Sequence, residues 1–238
     1  MTAHEPADRP DATLGEEVRE GVADLAAAVK PLLRGWIHLG MAPLALVAGL
    51  VLVVASPTPV ARWTTAVFAI TSVLLFGTSA VYHRGTWSPR VAGVLRRLDH
   101  SNIFLIIAGT YTPLAALLLP PSTARLLLWV VWVGAVLGLT GRVLWLGAPR
   151  WLYTPIYVAL GCVALGFLPQ FSRNGGADVV TLVVTGGVAY IAGAVVYGLK
   201  RPNPSPRWFG FHEVFHVLTV IGFGCHYAAV WLAAARSA

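Results

Sequence analysis

Long apolar segments alternate with short polar or proline-rich breaks along most of the chain. Seven such segments run over residues 37–56, 63–83, 99–119, 123–145, 151–170, 179–199 and 212–234. Each approaches or exceeds the ~20 residues with which a helix spans ~30 Å of hydrocarbon. The breaks are rich in helix-terminating residues: Ser56-Pro57-Thr58-Pro59, Pro120-Pro121, Gly147-Ala148-Pro149, Asn174-Gly175-Gly176 and Pro202-Asn203-Pro204-Ser205-Pro206. Proline lacks the amide proton that a helix interior needs, so the last break is a stiff loop. The pattern predicts an all-α membrane protein, a seven-helix transmembrane bundle over residues 35–238. Residues 1–34 form a separate arm. Its alanine-rich stretch up to Lys30 can fold as a short amphipathic helix on the membrane surface, and residues 1–12 read as a disordered tip.

Composition agrees with this pattern and excludes a soluble domain. Apolar residues make up 57% of the chain, charged residues 11%, and the mean hydropathy is +0.71. Seven of the ten acidic residues precede residue 25, leaving Asp99, Asp178 and Glu213. The net charge of +7 therefore belongs to the loops, and a nucleic-acid partner is not expected. Placed on the seven-helix topology, 13 basic residues fall on the side of the N-terminal arm and 4 on the other. By the positive-inside rule the N-terminus is cytoplasmic and the C-terminus outside, in a multi-pass protein of the cell membrane. The polar start lacks a basic region followed by an apolar core, so no cleavable signal peptide is expected. Cys162 and Cys225 lie in apolar runs and read as small buried hydrophobes.

This orientation brings chemistry together. The second segment ends at the cytoplasmic face with His83, the third begins there with Asp99, and the seventh begins there with His212 and His216. Histidines four residues apart share a helix face. Ionisable side chains inside a membrane are costly and mark functional sites. Three histidines with an open fourth position are a common way to hold zinc. Asp99 reads either as a salt-bridge partner of Arg96 and Arg97 or as an acceptor for metal-bound water. His212-Glu213-x-x-His216 also formally matches a metalloprotease motif in which the Glu is the base. Glu213 points about 100° away from His212, however, and can instead complete the helix N-terminus. His226, roughly 15 Å deeper at helical rise, is too far for the same coordination shell. It reads as a packing group or a second polar site. His38 and His100 read as interfacial.

Three motifs occur in order: Ser79-x-x-x-His83; Leu98-Asp99-His100-Ser101-x-Ile103-Phe104 with Ala108-Gly109-Thr110-Tyr111-Thr112-Pro113; and His212-Glu213-x-Phe215-His216. They resemble those of the bacterial hemolysin III proteins, which belong with the progestin and adipoQ receptors. The resemblance covers about residues 35–235. It implies seven transmembrane helices and one zinc near the cytoplasmic face, with His83, His212 and His216 as ligands. It also implies that Asp99 holds the metal's water and that Ser79 sits beside the site. Eukaryotic relatives and alkaline ceramidases resemble lipid amide hydrolases. The expected activity is thus zinc-dependent hydrolysis of a membrane-lipid amide or ester, with a role in lipid homeostasis. Membrane lipids are the expected substrate or ligand, Asp99 the base, and Ser79 the residue that orients water or steadies the oxyanion. The alternatives are a non-enzymatic receptor or regulator with structural zinc, an intramembrane protease, and a cytolysin. The last rests on the family's historical name alone. The sequence does not fix the oligomeric state.

Overall fold

A computed structural model describes residues 31–145 and 150–238. The surface helix expected before Lys30 and the Gly147-Ala148-Pro149 break lie outside the described residues. Among the described residues the chain forms α1 (Trp36–Ala55), α2 (Pro59–Arg84), α3 (Pro89–Leu118), α4 (Pro121–Leu144), α5 (Arg150–Cys162), α6 (Leu168–Gly175), α7 (Ala177–Leu199) and α8 (Phe211–Ala235). A 3₁₀ segment, Val163–Phe167, joins α5 to α6. The run Leu152–Gly175 acts as one span, giving the seven membrane-crossing helices that the apolar pattern predicts.

Local sequence sets the helix starts. Thr58 Oγ1 accepts from the Ala61 amide at 3.2 Å, and Pro59 occupies the first turn of α2. Ser88 and Pro89 start α3 in the same way, with Ser88 Oγ accepting from Val91 N at 3.5 Å. Such caps contribute about 1 kcal/mol each, and proline suits a first turn whose amide has no helical partner. α3 therefore begins ten residues before the apolar segment at 99–119, and Asp99 sits inside a helix rather than at its start. The span expected at 151–170 continues to Gly175, where Gly176 (φ 88°) ends it in a conformation that favours glycine.

Helical periodicity divides each span between protein and lipid. In α1 the buried residues His38, Ala45, Gly49 and Leu52 form one stripe, while Leu44, Val47, Leu50 and Val54 face outward. α3 is the central helix: 72% of its most apolar window is buried, against 22% for α1 and α4. It packs against α2 and α4 and touches α5, α6 and α8. α8 closes the bundle against α7 and also touches α1, α2 and α3. Close approach of α2 and α3 depends on Gly109, since a Cβ there would lie 2.0 Å from Thr71 Oγ1.

The 3₁₀ break leaves irregular backbone at membrane depth, where water cannot satisfy it. Tyr111 of α3 supplies the missing partners. Its hydroxyl donates to the Gly161 carbonyl at 2.7 Å and accepts from Ala164 N at 2.5 Å.

Candidate metal centre and lipid cavity

The last turns of α2 and the first turns of α8 meet at the arginine-rich end of the bundle. There His83, His212 and His216 bring one ring nitrogen each within 4.8 Å of one another. His83 Nε2 lies 3.2 Å from His212 Nε2. Two nitrogens at Zn–N distances of 2.0–2.1 Å in a tetrahedral shell lie about 3.3 Å apart, so this pair has the spacing that a shared ion needs. His216 Nδ1 is buried without a hydrogen-bond partner among the described residues. The donor set can hold a metal ion. Three neutral imidazoles suit zinc while leaving a fourth position for water or substrate.

Asp99 Oδ2 stands 3.8 Å from His83 Nε2, beyond hydrogen-bond reach. The carboxylate faces the cluster without closing on it. Ser79, one turn before His83, is 1% exposed and also faces Asp99. Asn102 of α3 donates to the Leu74 carbonyl of α2 at 2.8 Å, tying together the two helices that carry Asp99, Ser79 and His83. Ser79, His83, Asp99, His212 and His216, which the sequence nominates from three helices, thus occupy one site.

His38 belongs to this site rather than to the interface. It is 3% exposed. Its ring stacks on His216 with centroids 3.7 Å apart and planes 12° apart, and its Nδ1 lies 2.8 Å from Ser79 Oγ. The only sequence signal was a histidine one turn into an apolar helix. His100 is also held within the bundle, with Nδ1 2.7 Å from the Arg96 carbonyl and Nε2 3.1 Å from the Tyr197 hydroxyl.

Glu213 is fully buried, with both carboxylate oxygens engaged. One carboxylate oxygen pairs with Arg34, and the other accepts from Gly210 N at 2.7 Å, so the Glu213 side chain reaches back to cap the amide that precedes α8. Asn203 Oδ1 accepts from Phe211 N at 2.8 Å in the same turn. Leu32 N donates to the Arg207 carbonyl at 3.0 Å and docks the segment before α1 onto this loop. Both oxygens of Glu213 are therefore engaged in holding the helix start. Cys162 and Cys225 are unpaired.

A cavity of about 240 Å³ leads from Asp99, Ser79 and His212 into the bundle between α3, α5, α7 and α8. Its walls are mainly aliphatic and aromatic, and it extends past Thr219 to Leu114, Phe171 and His226. Leu165, Val184, Val188 and Ile191 line it and are exposed, which places its open side between the α5–α6 span and α7.

A family model described as Haemolysin-III related matches residues 26–227. The chain is 29% identical over 147 residues to the "Hemolysin-3 homolog" of Bacillus subtilis (strain 168), covering 61% of this chain and 68% of that protein. It is 28% identical over 131 residues to the "Hemolysin-3" of Bacillus cereus, covering 55% of this chain and 59% of that protein. The match thus spans just over two thirds of the first relative and less than two thirds of the second.

Proposed function

The chain belongs to the haemolysin III family, and we propose that it is a zinc-dependent hydrolase of membrane lipids, cleaving an amide or ester. The observation that carries this reading is the position of the three-histidine cluster and Asp99 at the head of a cavity with mainly apolar walls. A closed structural metal site has no use for a carboxylate standing off at 3.8 Å or for an apolar cavity leading away from it.

His83, His212 and His216 hold the zinc. When bound, zinc supplies Lewis acidity that polarises a carbonyl and makes water nucleophilic near neutral pH. Asp99 takes the proton of the attacking water and returns it to the departing amine or alcohol as the C–N or C–O bond breaks, an acid–base role worth roughly 10²–10⁴ in rate. Ser79, positioned by His38 Nδ1, turns its hydroxyl toward the reacting group and steadies developing negative charge. The aliphatic walls hold the acyl chain by burial at about 25 cal/mol per Å². The substrate enters sideways between the α5–α6 span and α7, since an aqueous route does not solvate an acyl chain. The excess of basic residues in the loops on one side supports an orientation with the site at the cytoplasmic face, the N-terminus inside and the C-terminus outside.

The test is zinc content together with lipid turnover by the purified protein. Stoichiometric zinc with release of fatty acid from an amide or ester lipid supports the reading. Stoichiometric zinc without turnover across a broad lipid panel overturns the hydrolase and leaves a membrane regulator with structural zinc.

A further inference from the structure

The deep end of the cavity is not uniformly apolar. An α-helix drifts by about 20° per seven residues, so His212, Thr219 and His226 form one stripe along α8. All three line the cavity. His226 is ten residues beyond His216, about 15 Å further along the helix.

The hydrogen bonding of His226 fixes what it offers. Nε2 lies 3.1 Å from the Val183 carbonyl, which can only accept, so Nε2 carries the ring proton. In the neutral imidazole Nδ1 is then an acceptor. Nδ1 is buried and has no partner among the described residues. An acceptor left unsatisfied in an apolar interior is unfavourable, and a packing role alone is filled better by an aromatic hydrocarbon. The wall is also shaped around this ring. A Cβ on Gly186 would fall 2.5 Å from His226 Cδ2, and a Cβ on Gly222 would fall 2.9 Å from the ring of Tyr190. Tyr190 lines the cavity beside His226, with ring centroids 5.3 Å apart.

We propose that the deep end of the cavity is a hydroxyl-recognising subsite, in which His226 Nδ1 accepts a hydrogen bond from a hydroxyl on the lipid chain, remote from the group held at the metal centre. The proposal rests on the reading that the cavity takes a lipid. It deepens that reading by naming the lipid class: acyl chains with a hydroxyl at mid-chain or at the chain end.

The test is competitive binding to the full-length, zinc-loaded protein by native mass spectrometry. The probes are octadecanamide and its mid-chain-hydroxyl and terminal-hydroxyl derivatives. Wild type is expected to prefer one hydroxylated amide over octadecanamide by roughly tenfold, the gain of one buried hydrogen bond. Which derivative wins tells whether the hydroxyl comes from mid-chain or chain end. In His226→Phe the preference is expected to fall to about one. If that variant does not fold, the NMR shift of His226 Nδ1 in wild type should move with the preferred hydroxylated amide and not with octadecanamide. Equal binding of all three amides to wild type overturns the subsite and leaves the lipid cavity standing. Retention of the preference in His226→Phe overturns the assignment to His226. Binding of none of the three overturns the lipid reading, and the subsite with it.

Discussion

The rings of His38 and His216 lie nearly parallel, 3.7 Å apart, and the Nδ1 of His38 reaches Ser79 Oγ at 2.8 Å. One side chain of α1 thereby contacts both the proposed metal ligand on α8 and a hydroxyl on α2. Groups that orient metal ligands typically contribute 10–100-fold to metal affinity. His38→Ala is expected to weaken zinc binding by roughly that factor. His38→Phe keeps a ring against His216 and is expected to recover most of the affinity while removing the imidazole partner of Ser79. Competition with a fluorescent chelator measures both. Wild-type affinity in His38→Ala contradicts the positioning role.

Asp99 stands off from His83 by 3.8 Å, which suits the proposed role as base better than a role as metal ligand. Asp99→Asn preserves shape and removes the proton acceptor. It is expected to keep its zinc and lose turnover by roughly 10²–10⁴-fold. Zinc analysis and lipid hydrolysis on the same preparation check this. A variant that keeps both zinc and turnover excludes Asp99 as the base.

Glu213 is engaged by Arg34 and Gly210 N, so its replacement acts on stability. Glu213→Gln keeps an oxygen for the Gly210 amide and removes the charge that Arg34 pairs with. The expected cost is about 1–3 kcal/mol, read as a lowered melting temperature in detergent, with turnover per folded molecule retained. Lost turnover at an unchanged melting temperature is the outcome expected of a protease-like base instead.

Tyr111 satisfies the backbone of the broken span. Tyr111→Phe keeps the ring and strands the Ala164 amide and the Gly161 carbonyl away from water. The expected loss is about 1–3 kcal/mol per unsatisfied group. Hydrogen exchange should increase first around residues 161–167.

Much of this architecture is legible in the sequence, for identifiable reasons. Seven apolar runs announce seven spans because lipid requires continuous apolar length. His83, Asp99 and the His212–His216 pair can be joined from sequence because they fall at helix ends that share one side of the membrane. The start of α3 is harder to see. Arg90, Arg96 and Arg97 dilute the hydropathy of its first turns, although Ser88-Pro89 carries the local start signal. The 3₁₀ break depends on a hydroxyl from another helix, which no local pattern in residues 151–170 reports. His38 is the largest gap: a histidine near a helix start has the same signature whether it faces headgroups or a buried ligand. Glu213 shows the converse. The His-Glu-x-x-His string suggests a base, but the helix places its carboxylate on Arg34 and the Gly210 amide.

Three histidines from two helices are proposed to hold one metal, and metal analysis of purified wild type beside His216→Ala, with circular dichroism to confirm that both remain helical, tests that assignment. One zinc per wild-type chain and near-complete loss in the variant are expected. A helical His216→Ala protein that retains wild-type zinc contradicts the assignment.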